Sequence, residues 1–131
     1  MSNQRGLSVL LVDDSALLTE RLTEWVTSTE GLSLAGVVDT EQAAVNAVAL
    51  GGVDLILLDL HLRTGTGFGV MRALAKFAPR PVVVVLTNYT LSEFRRVANE
   101  LGVRYFLDKG MDMDRLSDVV SDVRATLAPA Q

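Results

Sequence analysis

A chain of 131 residues, 49% apolar and with only three prolines, is long enough for one domain with a substantial core and has the make-up of a globular chain. Its net charge of −4 lacks the basic footprint of a nucleic-acid binder, and the absence of cysteine excludes disulfides, thiolate nucleophiles and Cys-ligated zinc. No apolar span is long enough to cross a bilayer, and the opening Met-Ser-Asn-Gln-Arg-Gly carries no signal-peptide core, so the expectation is a cytoplasmic protein that engages neither membrane nor nucleic acid.

Ser8 to Asp14 reads as a first strand, with Val9-Leu10-Leu11-Val12 running straight into Asp13-Asp14. Ser15 can cap a helix that runs to about Ser28 and sets Leu18, Leu22, Trp25 and Val26 on one face, with Trp25 expected in the core. Leu32 to Val38 is a weaker second strand, because Gly36 interrupts it. Asp39 or Thr40 can cap a second helix with Ala44, Val45 and Val48 inward, and Gly51-Gly52 stops it. Val53 to Leu58 is the third strand and ends on Asp59.

The turn Arg63-Thr64-Gly65-Thr66-Gly67 leads into a third helix through about Phe77. Gly65-Thr66-Gly67-Phe68-Gly69 has neither the dinucleotide-loop spacing nor the P-loop lysine, so it reads as a helix start. Pro79 and Pro81 bracket the turn into a fourth strand, Val82 to Leu86, which ends on Thr87. A fourth helix, about Leu91 to Leu101, lines up Leu91, Phe94, Val97, Ala98 and Leu101, carries Arg95 and Arg96 as solvated charges, and stops at Gly102. Val103 to Leu107 is the fifth strand, running through Asp108 into Lys109. A last helix, about Asp112 to Leu127, buries Met113, Leu116, Val119, Val120 and Val123.

Short apolar runs alternating with helical patterns indicate parallel strands buried on both faces. Five βα units joined by right-handed crossovers form an α/β three-layer sandwich of flavodoxin-like type, with strand order 2-1-3-4-5. No linker or repeat divides the chain, so residues 1–131 are expected to be a single domain with its core at about 7–127. Parallel strands share a direction, so the residues just past their C-terminal ends gather at one edge, where open α/β sheets build their sites.

That edge would hold Asp13, Asp14, Asp59, Thr87 and Lys109. Three carboxylates so close resist ionisation unless a cation joins them. Oxygen donors without His or Cys suit a hard ion, and Mg²⁺ is favoured because it binds through one or two carboxylates and completes its shell with water and phosphate oxygens. Lys109 adds a positive charge and Thr87 a hydroxyl donor, which suits a phosphoryl group. A carboxylate can itself be the nucleophile, and Asp59, alone at the end of a central strand, is the candidate.

Asp13-Asp14, Asp59, Thr87 and Lys109, in this order and spacing over nearly the whole chain, resemble the receiver domains of two-component response regulators. The segment Tyr105-Phe106-Leu107-Asp108-Lys109 is most similar to stand-alone, CheY-like receivers without an output domain. The resemblance implies that Asp59 is the phosphoacceptor and that Asp14, Asp59 and the backbone carbonyl of His61 contact Mg²⁺. It implies that Asp13 holds metal-bound water, Lys109 pairs with the acceptor or its phosphoryl group, Thr87 bonds a phosphoryl oxygen, and Phe106 occupies the aromatic switch position. The partners implied are a sensor histidine kinase or histidine phosphotransfer protein and an unidentified downstream protein. The role implied is that of a signalling phosphoacceptor, with at most self-phosphorylation from donors and autodephosphorylation, and not that of an enzyme.

Three positions depart from the family pattern. Gly110 follows Lys109 where a cis proline is common, Arg63 stands where the loop after the acceptor often has proline, and Asn88 follows Thr87 where a small residue is usual. Two other functions fit the residues. One is a constitutive protein-interaction module on the same fold that does not use phosphorylation. The other is a Mg²⁺-dependent phosphohydrolase, which usually needs a second carboxylate near the nucleophile, where this chain has Leu60 and His61.

Overall fold

Apolar runs of four to seven residues form five strands in the computed structural model, which describes residues 6–127. In chain order these are β1 (Leu7–Val12), β2 (Leu32–Val38), β3 (Leu55–Leu58), β4 (Val82–Thr87) and β5 (Tyr105–Asp108). Helices α1 (Ala16–Ser28), α2 (Glu41–Ala49), α3 (Gly67–Leu74), α4 (Ser92–Glu100) and α5 (Leu116–Leu127) alternate with them, and a 3₁₀ turn over Met113–Arg115 precedes α5. All pairings are parallel and the order is β2-β1-β3-β4-β5, the flavodoxin-like arrangement expected.

The period of two along each strand divides the core into two halves. Leu10, Val12, Ile56, Leu58, Val83 and Val85 face α2, α3 and α4, where Ala44, Val48, Val70, Met71, Leu74 and Ala98 meet them. Val9, Leu11, Leu55, Leu57, Val84 and Leu86 face α1 and α5, against Leu22, Val26, Leu116, Val119, Val120 and Val123. Trp25 packs against the edge of this second half, partly buried.

Local chemistry sets the ends of the elements. Ser15, Thr40 and Thr66 cap α1, α2 and α3, each accepting from the amide three residues on. β3 starts at Leu55, two residues later than its apolar run, because the Asp54 carboxylate accepts from the Ser8 amide and pins the entry. The β1–β2 register shifts between Val9 and Leu10, where Gly36 is the next β2 partner, and β2 runs on through it. α3 ends at Leu74 and not at Phe77: the amides of Ala75, Lys76 and Phe77 bond three residues back, which tightens the chain into 3₁₀ geometry. Leu91 does not join the buried stripe of α4; it precedes the first turn and is 58% exposed, while Ala98 is buried and Phe94 and Leu101 pack against the core. Gly102, at φ +91°, ends that helix region, and β5 begins only at Tyr105.

Candidate functional site

Main-chain bonds that continue beyond the strands hold the polar residues at the C-terminal edge. The Asp13 amide donates to the Val38 carbonyl at 3.1 Å, the Asp59 amide to Val12 at 2.9 Å, and the Lys109 amide to Thr87 at 2.9 Å. Each of these side chains therefore starts from a backbone already fixed by a neighbouring strand.

Asp59 is 4% exposed, and both of its carboxylate oxygens are bonded. Oδ1 accepts from the Leu60 amide at 2.7 Å, the His61 amide at 3.4 Å and the Thr87 hydroxyl at 2.6 Å. Oδ2 accepts from Lys109 Nζ at 2.8 Å. The same ammonium lies 2.8 Å from Asp13 Oδ2, while Asp13 Oδ1 accepts from the Ser15 amide at 2.8 Å. Thr87 is fully buried and its hydroxyl also accepts from the Tyr89 amide at 3.1 Å. Asp14 is exposed at the rim, with His61 Nδ1 3.7 Å from its Oδ2.

Carboxylate oxygens of Asp13, Asp14 and Asp59 lie within 4.8 Å of one another. Burial pushes the Asp13 carboxyl above the ordinary aspartate range, against the Lys109 ammonium and the Ser15 amide, which favour the anion. Burial also works against the Lys109 ammonium, but the hydrogen bonds it donates to Asp13 and Asp59 outweigh it and hold Lys109 above the usual lysine range. One cation facing three carboxylates leaves the cluster short of positive charge. An oxygen-only donor set at this spacing, open to solvent on the Asp14 side, fits a hard divalent ion such as Mg²⁺.

The structure therefore brings Asp13, Asp14, Asp59, Thr87 and Lys109 to one place, as their spacing implies. The β3–α3 loop alternates: Leu60 and Leu62 are buried in the core, which turns His61 and Arg63 outward. His61 rests its ring against Tyr89, with centroids 5.6 Å apart. Phe106 lies on β5 opposite Val85, half-buried, and packs against the core half that faces α2, α3 and α4. Arg95 is not merely solvated: its guanidinium stacks 4.6 Å over the Phe106 ring and its Nη1 donates to the Phe106 carbonyl at 3.3 Å. The cis peptide among the described residues is Ala78–Pro79, so Lys109–Gly110 is trans; the turn is held instead by Asp108 Oδ1, which accepts from the Gly110 amide at 2.7 Å.

Sequence reasoning missed Gly67 as part of the site. A Cβ there would stand 2.4 Å from the Asp59 carbonyl oxygen and 2.9 Å from Leu60 Cα, so glycine is what lets α3 pack against the acceptor's own backbone. It also missed the pairing of Arg63 with Asp39, whose signal is hidden because the partners lie 24 residues apart. A hollow of about 140 Å³ at the opposite edge, between Arg80, Leu101, Val103, Arg104 and Tyr105, is lined by no carboxylate or histidine, so the acidic chemistry belongs to the C-terminal edge.

Comparison with known proteins agrees with this geometry. A family model of the response regulator receiver domain matches residues 9–121. The chain is 40% identical over 82 residues to protein-glutamate methylesterase/protein-glutamine glutaminase 5 of Myxococcus xanthus, covering 63% of this chain and 24% of that protein. It spans between 24% and 36% of the length of the curated relatives it matches. The non-phosphorylated HemR receiver domain from Leptospira biflexa superposes with a TM-score of 0.83 at 25% identity, over 95% of this chain and 99% of that one. The response regulator domain of Thermotoga maritima CheB shares the fold, with a TM-score of 0.82 at 21% identity over 95% of this chain and all of that one. With the family model covering most of its length and the acidic cluster at the expected sheet edge, this chain belongs to the response regulator receiver domain family.

Proposed function

We propose that this chain is a phosphoacceptor that takes a phosphoryl group on Asp59, with Mg²⁺, from the phosphohistidine of a sensor kinase or histidine phosphotransfer protein. The observation that carries the reading is the state of the Asp59 carboxylate: buried, held at Oδ1 by Thr87 and at Oδ2 by Lys109, and beside Asp13 and Asp14. An Asp59 oxygen would attack phosphorus in line with the leaving imidazole. The new O–P bond forms as the N–P bond breaks, and the electron pair stays on the histidine nitrogen.

Asp14, Asp59 and the His61 carbonyl would hold the metal, and Asp13 would hold its water. The bound ion would neutralise phosphoryl charge, as metals do in phosphoryl transfer generally. Lys109 is already within reach of both carboxylates and would pass from Asp59 Oδ2 to a phosphoryl oxygen. The Thr87 hydroxyl, already 2.6 Å from Oδ1, would exchange that bond for one to the phosphoryl group, so its shift is short. Thr87 lies opposite Asp108 on β5, two residues beyond Phe106. A new charge at Asp59 would in this way bias the face of α4, β5 and α5, with Phe106 as its switch. In the cytoplasm, the chain would pass on its state through a protein that binds one form of that face better.

The test is intact-protein mass after incubation with acetyl phosphate and Mg²⁺, beside Asp59→Asn. A phosphoryl adduct on the wild type alone is expected. No adduct, together with no change in melting temperature on adding beryllofluoride and Mg²⁺, would replace this reading with that of a constitutive interaction module.

A further inference from the structure

Asp59 opens a loop whose far end is tied down by side chains that the phosphoryl chemistry does not use. The Arg63 guanidinium grips Asp39 through two bonds, Nε to Oδ2 at 2.9 Å and Nη2 to Oδ1 at 3.2 Å. The backbones run alongside: the Arg63 amide donates to the Asp39 carbonyl at 2.9 Å and the Glu41 amide to the Thr64 carbonyl at 3.0 Å, forming a parallel bridge between Thr40 and Thr64. The Glu41 carboxylate then accepts from the Thr66 amide at 3.1 Å. Gly65 and Gly69 leave the space this carboxyl occupies, since a Cβ at either would come within 2.4 Å and 2.1 Å of the Glu41 side chain. The segment between Asp59 and α3 is thus stitched to the entry of α2.

The near end of the same loop presents Leu60 and His61 to Asp59. As a device for global stability the ion pair is weak, because the Arg63 and Asp39 side chains are 65% and 45% exposed. Its effect is local. It removes conformational freedom from a few residues anchored at one end by Asp59 and at the other by α3, which lowers the ordering cost of any ligand that needs them in place.

We propose that Arg63 is a positioning residue for the acidic site: through Asp39 it holds residues 60–66 in the shape that presents Asp59 and the His61 carbonyl to a divalent cation. This rests on the reading of the cluster as a Mg²⁺ site. A bidentate fork is needed, which arginine supplies and lysine does not.

The experiment measures the Mg²⁺ dissociation constant from backbone amide shifts in the wild type, Arg63→Ala, Asp39→Ala, the double variant, and the Asp39→Arg/Arg63→Asp exchange. Amide hydrogen exchange is read on the same proteins without Mg²⁺. Each single variant should bind Mg²⁺ about two- to fivefold more weakly at unchanged melting temperature. The double variant should be no weaker than either single one, and the exchange should recover most of the loss. Arg63→Ala should also speed exchange at the amides of Glu41, Arg63 and Thr66. Unchanged Mg²⁺ affinity in Arg63→Ala, additive losses in the double variant, or unchanged exchange overturns the proposal. A wild type that shows no Mg²⁺ saturation overturns the reading of the site itself, and the positioning role with it.

Discussion

The Lys109 ammonium lies 2.8 Å from Asp13 and 2.8 Å from Asp59, so one positive charge serves two buried carboxylates. That is enough to hold the carboxylates together and too little to neutralise them, so a further cation suits the cluster. Away from the site, Tyr105 fastens β5 to α5 by donating its hydroxyl to the Asp122 carboxylate. That hydrogen bond comes first, burial second, in pushing the Tyr105 phenol above the ordinary tyrosine range. The native state then holds the phenol proton more tightly than the unfolded chain does. The contribution to stability is fully present below the ordinary value of 10.0 and is lost as pH rises through the raised native value. Phenolate absorbance reads this: Tyr105 should titrate above 10.0 and return towards it in Asp122→Asn. Identical curves in the two proteins would show that the bond does not hold in solution.

The loop from β3 to α3 shows how one element positions another. Leu60 and Leu62 anchor it in the core, Thr66 caps α3, and Gly67 brings that helix against the Asp59 carbonyl. Gly67→Ala would place a methyl group against backbone atoms that cannot rotate away, so the loop or the helix must shift. The expected cost is about 1–3 kcal/mol in denaturant unfolding, with weakened Mg²⁺ binding alongside it. A variant as stable as the wild type with intact Mg²⁺ affinity would mean that α3 has room the structure does not show. On the other side of the sheet edge, Arg95 covers Phe106 by stacking on its ring and bonding its carbonyl, which ties α4 to β5.

At the scale of the molecule, the two core halves share one sheet, and the three carboxylates of the acidic cluster sit at its C-terminal edge. On the proposed reading Mg²⁺ would bind the folded edge and not the scattered carboxylates of the unfolded chain, so it should stabilise the whole domain by mass action. At a Mg²⁺ concentration a hundredfold above its dissociation constant, the gain should be about 2.7 kcal/mol. Thermal unfolding with and without Mg²⁺ reads this, and Asp59→Asn should lose most of it. An equal gain in that variant would assign the stabilisation to ions elsewhere.

Strand order and the main site residues could be read from residue order alone, because parallel strands share a direction and a βα rhythm leaves few topologies. Asp13-Asp14, Asp59, Thr87 and Lys109 therefore had to meet at one edge once their apolar runs were taken as strands. Element ends were less legible: Asp54 shortens β3 through a bond to Ser8, 46 residues away, and α3 tightens before Phe77 through main-chain bonds that side-chain periodicity does not encode. What tertiary structure alone decided are the contacts between remote segments. Arg63 meets Asp39, Glu41 meets Thr66, Arg95 covers Phe106, and Gly67 touches Asp59. Periodicity determines which face a residue takes. Its partner there depends on how helices and loops settle on the sheet, and that is set by packing and not by pattern.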